Sequence, residues 1–122
     1  MNILRMSAAV EGATGVVLML LPGLVVHLLF GAEVAGAGLA AARIAGMALV
    51  ALGIACWPSS LDGRSGHGWT AMLVYNVLVT IYLVGMGVSG EPRGIALWPA
   101  TFVHAVVTVA LVQDRARRKG RG

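Results

Sequence analysis

Four apolar stretches, each near the length of a bilayer crossing, constrain this chain more than any other feature. They run from about Met6 to Phe30, Val34 to Trp57, Trp69 to Ser89 and Gly94 to Gln113. A helix needs about 20 apolar residues to cross about 30 Å of hydrocarbon, and each stretch meets that requirement. None alternates apolar and polar residues, so the roughly 10-residue strands of a membrane barrel are excluded. The predicted fold is all-α: an integral-membrane four-helix bundle. A signal peptide is not expected, because the first run is too long and reaches "LLPGLVVHLLFG" with no small-residue cleavage site.

Composition supports this reading. Charged residues make up 11% of the 122 positions and apolar ones 58%, against about 25% charged in an average soluble domain. Such a chain cannot cover a water-facing surface with charge, so the bilayer is its first expected partner. The net charge of +4 does not signal nucleic acid. Arg115, Arg117, Arg118, Lys119 and Arg121 crowd the C-terminal end with no aromatic residue among them. The single cysteine, Cys56, excludes an intrachain disulfide and a cysteine-rich metal site.

The connections predict the topology. Short "GAEVAG" and "SGEPRG" linkers make hairpins of spans one and two and of spans three and four, while Pro58 marks a helix stop before a longer polar loop. Four spans put Arg5, Arg64 and the five basic residues of the C-terminal end on one side, and Arg93 alone on the other. The positive-inside rule then makes both termini cytoplasmic. Trp57 and Trp69 fall at the inner interface and Trp98 at the outer one, as aromatic belts require. Residues 1–114 read as one domain and 115–122 as a basic cytoplasmic tail. The expected location is the bacterial inner membrane.

Polar side chains at membrane depth are costly, and each is a functional candidate. Counting about 1.5 Å per residue places Glu11 in the inner third of span one, with Tyr75 and Asn76 at similar depth in span three. His104 lies slightly deeper in span four, and Arg43 and Tyr82 near the midplane. Pointing these residues inward gives a polar centre of Glu11, Arg43, Tyr75, Asn76, Tyr82 and His104. The neutralising partner of Glu11 is open at this stage: Arg43, His104, or water at the inner face. An Arg43 without a partner would cost at least about 2.5–3.5 kcal/mol on insertion scales. Small residues mark the expected close packing, with Gly12 and Gly15 beside Glu11 and a Gly38–Ala42–Gly46 ladder on span two. Pro22 is expected to kink span one. No P-loop, HExxH, CxxC or GxSxG pattern occurs. His27 lies too near the other face to join His104 in ligating a haem, so no metal or cofactor is expected.

The segments "LLPGLVVHLLFG" and "RIAGMALVALGIACW" resemble those of DoxX-like small four-helix bacterial membrane proteins. The resemblance implies a redox- or quinone-linked accessory role and maps no active-site residue. Small multidrug transporters offer an analogy of mechanism, through their four spans and a glutamate in span one. Three readings follow. The first is a non-catalytic accessory or scaffold subunit, in a homo-oligomer or a larger membrane complex. The second is a proton-coupled transporter using Glu11 and His104. The third is a quinone-binding redox module using Arg43, Tyr82 and His104.

Overall fold

The computed structural model describes residues 3–57, 65–90 and 93–120. It contains α1 (Ile3–Leu20), α2 (Pro22–Phe30), α3 (Ala37–Ala55), α4 (Ser65–Val88) and α5 (Leu97–Lys119). The protein is all-α, and α1, α3, α4 and α5 are each long and apolar enough to span a membrane. Pro58, Arg64 and Arg121, on which parts of the sequence reading rest, lie outside the described residues.

The first apolar run is two helices, not one kinked helix. Proline carries no N–H to donate to the carbonyl four residues back and crowds the residue before it out of the helical region. Leu21 accordingly adopts φ −128° and ψ 53°, and α2 begins afresh with Pro22 in its first turn. Nine residues reach only about 14 Å, so α1 alone makes the crossing and α2 is a short helix at its far end.

In lipid every backbone group needs a partner inside the protein, and the end of α2 meets this need through the approach to α5. Gly31 turns left-handed at φ 66° and donates its N–H to the His27 carbonyl at 2.8 Å. The amides of Ala96 and Gly94 donate to the Leu28 and Leu29 carbonyls at 2.8 and 3.1 Å. The approach is so close that a Cβ on Gly94 would overlap the Leu28 carbonyl.

Helices α1 and α3 form one tight hairpin, and α4 and α5 form the other. The hairpins meet chiefly through α1, while α3 packs on α1 and α2 and leaves most of its surface outside. Glycines make the α1–α3 crossing close. A Cβ on Gly15 would stand 2.6 Å from the Gly46 carbonyl oxygen, and one on Gly46 would stand 2.7 Å from that of Gly15. One on Gly53 would stand 2.8 Å from the Ala8 carbonyl oxygen. The contact ladder on α3 is therefore Gly46 to Gly53, and the expected Gly38–Ala42–Gly46 register is corrected. Gly38 faces only Val34 of its own entry turn, and Ala42 is half-buried.

At the end carrying the termini, Leu4, Cys56, Met72 and Leu111 bring all four spanning helices into one small core. Large apolar side chains elsewhere face outward, with Ile95 85% and Val88 73% exposed. Water would not tolerate so continuous an apolar surface. The expected tail is mostly helix, because the polar residues after Gln113 are good helix formers with no breaker before Gly120.

Candidate functional site

Glu11 lies eight residues into α1, about 12 Å from its start, and is only 3% exposed. Its surroundings come from α4 and α5. The Tyr75 hydroxyl hydrogen-bonds the Glu11 carboxyl group, and His104 Nδ1 stands 3.7 Å from Glu11 Oε1. His104 Nδ1 also lies 2.8 Å from Asn76 Oδ1, and the Tyr75 ring meets the imidazole edge-on at 5.9 Å between centroids.

The hydrogen bonds define the imidazole tautomer. The Asn76 Nδ2 group donates to the Met72 carbonyl at 2.9 Å, which turns Oδ1, an acceptor only, toward His104. The proton between Asn76 and His104 must then belong to Nδ1. In the neutral ring Nε2 then keeps its lone pair, and the Glu11–His104 contact becomes an ion pair only when the ring is doubly protonated. Asn76 is fully buried, so this bridge joins α4 to α5 without competition from water. The threonines around it are satisfied within their own helices: Thr80 donates to Asn76, Thr101 to Leu97 and Thr108 to His104.

Of the six expected polar residues, the structure brings together Glu11, Tyr75, Asn76 and His104. It does not bring in Arg43 or Tyr82. Arg43 is exposed on α3, and Tyr82 is 62% exposed on α4. For Arg43 the reason is depth: Gly53 of α3 stands against Ala8 and Gly12, level with Glu11, and Arg43 lies ten residues, about 15 Å, farther along the helix. Of the two side chains offered as partners of Glu11, His104 stands beside it and Arg43 does not.

Four features escaped the sequence reading. Ser7 is buried one turn before Glu11, and its Oγ has no hydrogen-bond partner among the described residues; the i, i+4 spacing was the signal. Trp69 Nε1 donates to the Leu111 carbonyl at 3.1 Å, with the Arg115 guanidinium 4.5 Å from a ring centroid. Arg5 stands likewise over Trp57, at 5.7 Å. At the opposite end His27 and Glu33 lie 3.6 Å apart. Among the described residues no three His, Cys, Asp or Glu side chains converge on a possible metal position.

A carboxylate, an imidazole and a phenol in mutual contact can hold or pass a proton, and together they tie three helices into one unit. Fold and composition define a multi-pass integral membrane protein with four helical spans. Comparison with protein-family models, with curated proteins and with solved structures finds no match. The DoxX-like resemblance therefore stays a resemblance of two segments.

Proposed function

We propose that the chain is a non-catalytic subunit of a larger assembly in the bacterial inner membrane, docked through the outer face of α3. Arg43 carries this reading. It lies six residues inside a spanning helix, exposed, with no ion pair among the described residues. An arginine at that depth facing lipid is expensive. An acidic side chain on a neighbouring subunit at the same depth would remove the cost, and the largely uncovered α3 surface would supply the contact area. A redox-linked setting for the assembly is carried by the resemblance, not by geometry. The test is the mass of the protein in native nanodiscs. The expected particle exceeds one 12.6 kDa chain, and Arg43→Leu releases a monomer. A wild-type monomer that stays alone at native expression level would refute the reading.

A second reading, proton-coupled transport, is favoured by the Glu11–His104 contact. It predicts that Glu11→Gln abolishes proton-driven solute flux in liposomes while folding is retained. Unchanged flux in an active preparation would eliminate it.

A further inference from the structure

The outer side of the α1–α3 crossing holds an open groove of about 610 Å³. Ala9, Ala13 and Val16 form one wall, Val50 and Ile54 the other, and the indole of Trp57 closes the end nearest the termini. From Ala8 to Val16 the groove follows α1 for about 12 Å, close to the about 15 Å of one leaflet's hydrocarbon. It runs from the interface toward the bilayer centre.

Gly12 lies in this groove and differs from the other glycines of the crossing. Gly15, Gly46 and Gly53 are demanded by backbone contact with the facing helix, whereas a Cβ on Gly12 would meet nothing within 4 Å. Helix packing does not require glycine there. What its missing side chain provides is depth in the groove. At the groove's closed end stands a charge: the exposed Arg5 guanidinium, 5.7 Å from the Trp57 ring centroid. No acid pairs with Arg5 among the described residues.

We infer that this groove is a selective site for one anionic phospholipid, its acyl chain lying along Gly12 between α1 and α3 and its phosphate held by Arg5 over Trp57. Hydrocarbon fits a channel walled by alanine, valine and isoleucine, and the cation sits where a headgroup would. A second copy of the chain fits less well. Its described acids are Glu11, which is buried, Glu33, which lies at the opposite end, and Asp114, which already has a contact of its own. None of these described acids is available to Arg5.

The test reconstitutes the full chain in nanodiscs of equal dioleoyl-phosphatidylglycerol and dioleoyl-phosphatidylethanolamine, with retained lipid read by native mass spectrometry. Wild type is expected to hold one phosphatidylglycerol, favoured about fivefold over phosphatidylethanolamine, the worth of one basic residue at an anionic surface. Arg5→Gln removes the preference but not the bound lipid. Gly12→Leu fills the groove and loses both lipids. Arg5 is exposed, so its variant keeps the test decisive if Gly12→Leu disturbs folding. Retention in the bulk ratio by wild type would overturn the inference. So would undiminished retention by a folded Gly12→Leu variant, or a wild-type dimer that Gly12→Leu converts to monomer with no lipid released.

Discussion

Replacing Gly15 with alanine tests whether backbone contact between α1 and α3 holds the first hairpin together. The added methyl would lie 2.6 Å from the Gly46 carbonyl oxygen, 2.8 Å from the Val50 nitrogen and 2.9 Å from the Leu49 Cβ. Two of these are backbone atoms, so no rotamer change relieves the clash and the helices must separate. Restoring ordinary contact needs about 0.5–1 Å, a gap that forfeits roughly a quarter to a half of the attraction between facing atoms. Lipid tails provide no hydrophobic drive between helices, so this packing is what the hairpin has. Overpacking of this kind costs about 1–3 kcal/mol. Gly12→Ala is the internal control. It adds the same methyl one turn earlier into open space and gains up to about 1 kcal/mol in helix propensity. Cys56, the only cysteine, is 2% exposed at the end of the same hairpin. A fluorogenic maleimide therefore reports unfolding during a thermal ramp in mild detergent. Gly15→Ala should lower the midpoint by several degrees, while Gly12→Ala leaves it level or raises it. Equal midpoints for the two variants would refute the close crossing.

Asn76→Leu removes both the His104 acceptor and the Met72 bond, and should cost about 0.6–1.7 kcal/mol in the same thiol assay. An unchanged midpoint would mean the α4–α5 bridge contributes nothing. Trp69→Leu loses the Leu111 hydrogen bond and the Arg115 contact, with an expected loss of roughly 1–2 kcal/mol. Adding Arg115→Ala to it should cost little more, and full additivity would show that the pair does not interact. Gly94→Ala forces the linker off the Leu28 carbonyl and should accelerate protease cleavage between α4 and α5 in open nanodiscs. Cleavage at the wild-type rate would contradict the contact that joins them.

Much of this molecule was legible without coordinates because hydropathy and span length are one-dimensional quantities. Four crossings, two hairpins and a tryptophan pair at the end carrying the termini need only counting along the chain. Pro22 showed that the first run must deviate, though not that a second helix begins there. That outcome depends on the end of α2 finding donors in Gly94 and Ala96, more than sixty residues later. The packing glycines were half legible: Gly15 and Gly46, named on separate spans, prove to face each other, and Gly53 completes the ladder where Gly38 and Ala42 do not.

The polar centre divides the same way. The sequence alone placed Glu11, Asn76 and Tyr75 at similar depth and His104 slightly deeper, because depth follows from the rise per residue. It could not determine which of them touch. These spans are apolar nearly all round, so no amphipathic stripe declares which face of a helix turns inward. Arg43 and Glu11 were placed within a turn or two of each other, yet the seating of Gly53 against Ala8 and Gly12 puts Arg43 about 15 Å along α3 from the level of Glu11. Only the tertiary structure decided that His104 and Tyr75 meet Glu11. Rotation about a helix axis is set by the close approach of neighbouring backbones, which hydropathy does not record.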